Sequence, residues 1–465
     1  LSGNDNFKIK IKIHDFKKTS TLVELIDEFL RPEQYELVPD DGFRTDAVMH
    51  FNLDGAQDKN IIKREMFQKL YAVTGKRPDW GILTGVRPVK LAGEMYMMSG
   101  NRDAIVQTLT EDYFLTLEKA ELITDMYIHQ SETLGEAALD SVGVYIGIPF
   151  CPTRCLYCSF ASNQVPDSEI ERYMTALLKE ISYVGRKMKE SRIHTESIYI
   201  GGGTPTTLSA EQLDIMLAQV CKSFDMSRLK EFTVEAGRPD TITEEKLDVL
   251  RKYEISRISI NPQSMKAETL ERIGRNHTPA DIIRAFEMAN SKGFEAINAD
   301  IIAGLPGEEP DDFMSTLTKV AELGATNITV HTLAVKRASR LKDIDSDYHY
   351  KVAEIVGEML YDSREFLKEK GFEPYYLYRQ KHMAGYYENT GYCLPGKDCL
   401  YNVRIMDEHQ TIVALGAGGI SKAYYPETNR LERVANVTNY DEYIKRIDEM
   451  CERKENNLFR RYDKC

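Results

Sequence analysis

The sequence predicts an α/β protein centred on a parallel sheet curled into a barrel or partial barrel. Two observations carry that expectation. Short apolar runs at residues 144–149, 197–200, 231–235, 257–260, 296–302 and 327–332 alternate with helix-patterned stretches at intervals that suit βα units. Residues able to carry chemistry cluster just after those runs, where barrel folds place their sites, at the carboxyl ends of strands. Periodicity alone leaves an open doubly wound sheet as the alternative.

The elements flank a central segment. The alternation Lys8-Ile-Lys-Ile-Lys-Ile13 predicts a half-buried strand with its lysines in solvent. Helical spacing at 19–30 and 61–71, with a strand at 47–53 between them, predicts a small α/β unit, and residues 103–134 are largely helical in pattern. The small and polar stretch 135–141 sets a boundary near 140. After about 345 a long helical pattern (348–370) leads into aromatic and glycine-rich loops and a polar helical tail. The expected organisation is therefore an N-terminal α/β domain (1–140), a barrel (141–345) and a mostly helical C-terminal module (346–465) that covers the substrate.

Composition narrows the function. Sixty Lys plus Arg against 73 Asp plus Glu give a net charge of -13, which argues against broad attraction to nucleic acid or anionic lipid. No apolar run approaches the roughly 18–20 residues of a membrane span, and the opening residues have no apolar signal-peptide core, so a cytoplasmic protein is expected. Eight cysteines in 465 residues are too few for a disulfide scaffold. Cys151, Cys155 and Cys158, however, stand within one loop as C-x3-C-x2-C, directly after the first central strand. A structural zinc site needs a fourth ligand, and neither His194 nor Cys221 is local. A [4Fe–4S] cluster held by three cysteines keeps one iron free of protein ligands and open to a substrate or cofactor.

This spacing after a strand resembles the signature of radical S-adenosylmethionine (SAM) enzymes. The resemblance implies a partial (β/α)6 barrel and a [4Fe–4S] cluster whose unique iron chelates SAM, the source of a 5'-deoxyadenosyl radical. Gly201-Gly-Gly-Thr-Pro-Thr206, one βα unit later, resembles the family motif for the methionine amino group, which assigns Gly202, Gly203 and Thr204 to SAM. Across residues 142–420 the likeness is to oxygen-independent coproporphyrinogen III oxidases and their relatives. It carries over Tyr145 and Tyr157 as aromatic contacts, Glu235 as a ribose- or methionine-binding carboxylate, Gln263 and Arg275 as polar contacts, and Asp300 as a ribose-binding aspartate.

Departures from that pattern matter. The oxidases proper carry a fourth cysteine two residues after the third, where this chain has Phe160, a feature shared with a haem-chaperone branch. That branch has a His-Asn pair where this chain reads Tyr401-Asn402, and Gly-Ala-Gly-Ala-His where it reads Gly416-Ala-Gly-Gly-Ile420. The N-terminal extension with Trp80-Gly-Ile-Leu-Thr-Gly-Val-Arg-Pro88 resembles a third branch, the coproporphyrinogen dehydrogenases.

The resemblance implies anaerobic oxidative decarboxylation of two propionates of coproporphyrinogen III to vinyl groups, giving protoporphyrinogen IX. A low-potential electron donor such as a flavodoxin or ferredoxin is the expected partner. Haem binding and delivery, with His331 and His382 as candidate ligands, is one alternative; radical methylation and opening of a porphyrin ring is another. A substrate with four carboxylates calls for cations in its pocket. Lys336, Arg337, Arg379 and Lys381 are in position, although solvation is the commoner fate of such side chains. Cys393, Cys399 and Cys451 are read as free thiols.

Overall fold

The computed structural model describes residues 8–14, 20–38, 49–52, 59–85, 87–160, 162–336 and 338–460. Two compact units emerge: residues 1–129 with 378–381, and 130–377 with 382–465. Among the described residues no helix is long and apolar enough to cross a membrane.

In the first unit, β1 (Ile9–His14) lies between β2 (Tyr35–Val38) and β3 (Met49–Asn52) in a parallel sheet. Ile11 and Phe51 pack on Leu25 and Ile26 of helix Ser20–Phe29 and on Met66 and Leu70 of helix Lys59–Thr74. Lys10 faces solvent as the alternation predicts, but Lys12 is buried, because β1 is the central strand and is covered from both sides. Trp80 is enclosed here, with the Arg379 guanidinium 5.0 Å over its ring and paired to Glu28 at 2.9 Å.

The second unit contains the barrel. Strands β4 (Ser141–Ile148), β5 (His194–Gly202), β6 (Glu231–Glu235), β7 (Arg257–Ser259), β8 (Ala296–Ala303) and β9 (Asn327–Thr332) pair side by side, in chain order and all parallel. That sequential order selects the barrel over a doubly wound sheet, whose strand order reverses at a switch point. Their apolar runs are buried on both faces, as parallel strands beneath helices require.

Residues 346–465 fall in the same compact unit as the barrel, and their helices alternate with strands that join its sheet. They supply five strands: β10 (Glu373–Tyr378), β11 (Asn389–Cys393), β12 (Thr411–Leu415), β13 (Ile420–Tyr425) and β14 (Arg430–Ala435). β11 joins β9 antiparallel, with β10 beyond it, while β12 joins β4 in parallel and β13 and β14 extend that edge. Both open edges of the six-stranded core are thereby paired, which satisfies backbone groups that an isolated barrel segment would leave exposed. The division between the units falls after His129, against the boundary near 140 that the sequence suggests.

Helix Leu400–Asp407 seats against the amino end of the barrel. The Glu231 carboxylate accepts from the Leu400 and Tyr401 N–H groups (2.9 and 3.1 Å) and from Arg257 Nε (3.3 Å). Arg257 also donates to Asn327 Oδ1 at 2.7 Å and to the Lys397 and Asp398 carbonyls. Glu231, Arg257 and Asn327 each open a strand, so one buried network closes that end.

Candidate active site

The cysteine loop begins where Pro149 ends β4. Phe150 is buried edge-on against Tyr173 (ring centroids 5.1 Å apart), and Asn163 closes the loop. Its N–H and side-chain amide donate to Pro149 O (3.0 and 2.9 Å), and its carbonyl accepts from Cys151 N (3.1 Å). Further along, Leu156 N donates to Ile273 O and Leu341 N to Leu156 O, tying the loop to the segments after β7 and β9.

Cys155 is buried, while Cys151 and Cys158 are half-buried. Burial pushes the Cys151 thiol up to about 11, against a hydrogen bond from Thr204, and burial raises Cys158 as well. Thiols held protonated must lose their protons when a metal group binds. No three acidic, histidine or cysteine side chains among the described residues converge on a single-ion site. Three cysteines suit a [4Fe–4S] cluster with one iron left open, whereas a structural zinc ion takes four protein ligands.

The glycine motif lies against this loop. Gly203 N donates to Ile148 O and Thr204 N to Phe150 O, both at 2.8 Å, and Thr204 Oγ1 is 3.5 Å from Cys151 Sγ. A β-carbon on Gly203 would stand 2.9 Å from that sulfur and 2.5 Å from Phe150 O. Gly202 has φ +117, a backbone conformation that only glycine adopts without strain. Both positions therefore require glycine, and the cradle beside Cys151 stays open to a ligand's backbone-facing approach.

Glu235 ends β6, and its carboxyl accepts from Tyr199 Oη at 2.6 Å. Burial raises it to about 7, opposed by that hydrogen bond and assisted by the Asp300 charge. Tyr145, Tyr199 and Tyr401 form a stacked aromatic floor, with centroids 6.3 Å apart for the first pair and 4.5 Å for the second. Tyr401 comes from the closing helix at the other end of the barrel, a neighbour that no local pattern announces.

Asp300 lies in β8 within a polar lattice. Asn298 Nδ2 donates to Asp300 Oδ1 (2.8 Å), and His331 Nε2 is 3.5 Å from Oδ2. Burial pushes this carboxyl up, but His331 and the hydrogen bonds outweigh it and hold the group below its ordinary value. Gln263 bridges to the same strand through backbone bonds, Gln263 N to Asp300 O and Ile302 N to Gln263 O. Its φ of +66 is rare for a side-chain-bearing residue, and strain of this kind concentrates at functional sites.

Two guanidiniums border the cysteine loop. Arg275 donates to Asn261 O (2.8 Å) and to Tyr157 Oη (3.2 Å). Arg238, which sequence reasoning missed, is buried; it donates to Thr153 Oγ1 at 3.0 Å and lies 3.8 Å from Cys155 Sγ. Asp240 grips it with two bonds of 2.9 Å, and His277 stands 3.6 Å from Asp240 in turn. The one available signal was an Arg-Pro-Asp step three residues beyond Glu235. All twelve residues singled out from sequence thus lie on β4, β5, β6 and β8 or on the loops that follow β4, β5 and β7.

His331 and His382, the candidate ligands under the haem-delivery alternative, have these neighbours. His331 serves Asp300, and His382 packs edge-on at 5.9 Å from His349. Cys393, Cys399 and Cys451 are buried free thiols, with Cys399 donating to Glu231 at 3.3 Å.

Comparison with known proteins agrees with this geometry. Residues 145–320 match the radical SAM superfamily model. The oxygen-independent coproporphyrinogen-III oxidase-like protein HemZ of Bacillus subtilis (strain 168) is 40% identical over 405 residues, spanning 86% of this chain and 80% of that protein. The heme chaperone HemW of Lactococcus lactis subsp. lactis (strain IL1403) is 31% identical over 284 residues, 59% of this chain and 68% of the chaperone. In structure, coproporphyrinogen III oxidase (HemN) from Escherichia coli superposes with a TM-score of 0.53 at 21% identity, over 70% of this chain and 73% of that one, which shows a shared fold. Proteins of this superfamily work with a [4Fe–4S] cluster and SAM. With its cysteine loop, glycine cradle and sequential parallel strands, this chain belongs to the radical SAM superfamily, in its coproporphyrinogen oxidase-like group.

Proposed function

We propose that this protein is a radical SAM oxidoreductase that decarboxylates two propionates of coproporphyrinogen III to vinyl groups. The observation that carries the reading is the 405-residue likeness to a coproporphyrinogen oxidase-like protein, which extends beyond the barrel, together with the site assembled at the barrel mouth.

When bound, the cluster and SAM would supply a radical able to take one hydrogen atom from the propionate β-carbon. The rest falls to the protein. Cys151, Cys155 and Cys158 would hold three irons of the cluster, and the loop that Asn163 closes sets their spacing. Gly202, Gly203 and Thr204 present backbone at the methionine end of SAM, while Glu235, Gln263, Arg275 and Asp300 take its polar groups. Tyr157 stands in the cysteine loop beside Arg275, and Tyr145 lies in the aromatic floor whose Tyr199 hydroxyl donates to Glu235. Each propionate then loses carbon dioxide and one electron, so turnover needs an external one-electron acceptor as well as a low-potential donor.

Heme delivery is the second reading, supported by the likeness to a heme chaperone. Against it, Tyr401 is packed into the barrel, and Ile420 occupies the place where that branch has histidine. One experiment separates them. Anaerobically reconstituted protein is incubated with SAM, a low-potential reductant and coproporphyrinogen III, and 5'-deoxyadenosine and tetrapyrrole mass are followed. Deoxyadenosine with stepwise loss of carbon dioxide is expected; tight heme binding without SAM-dependent conversion would reject the enzymatic reading.

A further inference from the structure

Of the four cations considered for a carboxylate-rich pocket, two are already matched. Arg379 pairs with Glu28 at 2.9 Å and Lys381 pairs with Glu24, while Arg337 lies outside the described residues. Lys336 differs from both. It follows β9 at the carboxyl mouth of the barrel, on a stretch pinned at each end. Upstream, Val335 N donates to His382 O (3.0 Å) and Ala334 bridges Met383; downstream, Arg154 Nη2 donates to Ala338 O at 2.6 Å.

The Lys336 ammonium stands 5.4 Å over the Phe160 ring and is half-buried. Its charged surroundings contain Cys158 and, among the described residues, no carboxylate partner. Phe160 itself is 67% exposed. A half-buried cation that no carboxylate pairs with among the described residues, stacked on an exposed aromatic ring, is an uncommon surface pair, since most buried charges are matched. It suits a ligand that offers a carboxylate beside a flat apolar ring.

We propose that Lys336 and Phe160 form the receptor for one propionate-bearing pyrrole of the substrate, with the ammonium taking the carboxylate and the phenyl ring packing on the pyrrole. This assignment rests on the tetrapyrrole reading above. It gives Phe160 a binding role at the position where the oxidases proper carry a further cysteine.

The test uses the reconstituted full chain and coproporphyrin III, the stable oxidised form of the substrate, followed by fluorescence under anaerobic conditions. Lys336→Gln should weaken binding by about tenfold or more, as loss of a charge-assisted contact implies, while Lys336→Arg stays close to the native protein. Against the uncharged tetra-amide of coproporphyrin III, the native and Lys336→Gln proteins should bind equally. Phe160→Leu leaves every charge in place and should weaken acid and amide alike. Cluster content and SAM affinity should be unchanged in all variants.

If the native protein binds coproporphyrin III and Lys336→Gln binds it equally well, the receptor assignment falls and the substrate reading stands. Loss of SAM affinity in place of porphyrin affinity would give the lysine to the SAM carboxylate and likewise overturn it. An equal loss for acid and amide removes the ionic role, and full affinity in Phe160→Leu removes the packing role. Failure of the native protein to bind any coproporphyrin would instead strike the substrate reading itself.

Discussion

The two ends of the barrel use buried charge in opposite ways. At the amino end, Glu231, Arg257, Asn327 and the first N–H groups of helix Leu400–Asp407 satisfy one another. Glu196, Arg404 and Gln410 do the same beside them. At the carboxyl end, Glu235 is raised to about 7 with one hydroxyl partner, Gln263 holds a positive φ, and Lys336 has no carboxylate partner among the described residues. A network that matches its own charges stabilises; a set left unmatched is ready for a ligand. The contrast separates polar groups that serve the fold from those proposed to serve the chemistry.

The largest effect should come from the cluster ligands. Cys155→Ala is expected to abolish iron–sulfur absorbance and SAM cleavage while circular dichroism stays native, because the loop's backbone anchors lie at Asn163, Leu156 and Ile273 and not at the thiol. Full cluster loading in that variant would remove Cys155 from the ligand set.

The amino end should respond in the reverse sense. Arg257→Met leaves the Glu231 carboxylate buried without its guanidinium, and breaking such a pair costs about 3–5 kcal/mol. Denaturant unfolding should register that loss at temperatures where the folded variant still loads its cluster. A drop in SAM affinity without lost stability would blur the distinction between the two ends.

Glu235 gives a pH test at the other end. Its folded carboxyl, raised from 4.5 to about 7, holds a proton that the unfolded chain has released, so stability falls as pH rises between those values. The penalty is absent below about 4.5, complete above about 7, and worth about 3 kcal/mol on an order-of-magnitude basis. In the cofactor-free protein, Glu235→Gln should therefore be more stable than the native chain at pH 8 and equal to it near pH 4. SAM affinity should fall in the same variant. Parallel stability curves across that range would show that Glu235 is not held protonated.

What could be read from sequence follows the same division. The bounds of β6 and β9 agree with the apolar runs, and the placement of Gly203, Glu235 and Asp300 at or near strand ends is legible from the local motifs around them. The Glu231 cap on Leu400 and Tyr401, and the Tyr199–Tyr401 stack, are not. They depend on where the C-terminal chain returns, which sets Thr411 of β12 beside Val142 of β4, 269 positions earlier in the chain. Aromatic and glycine-rich loops give no period to follow, so strands β10–β14 are not legible there as strands. Among the pocket cations, only tertiary pairing separates Arg379 and Lys381 from Lys336.

The smallest effect sharpens the comparison most, because Arg238 combines both behaviours. Asp240 matches its charge with two bonds, as at the amino end, yet one guanidinium nitrogen remains turned toward Thr153 and Cys155 Sγ. A donor beside a ligand sulfur stabilises the more electron-rich state of an iron–sulfur cluster, and outer-shell hydrogen bonds of this kind tune potential more than they tune folding. Arg238→Gln should keep three thiolates and the loop but lower the cluster's midpoint potential. If the difference between oxidation states is about 1 kcal/mol, the shift is about 40 mV for one electron. Spectroscopic redox titration of the reconstituted variant measures it directly, and Asp240→Asn, which loosens the grip without removing the donor, should move the potential less. An unchanged potential in Arg238→Gln would place this arginine with the structural network of the amino end.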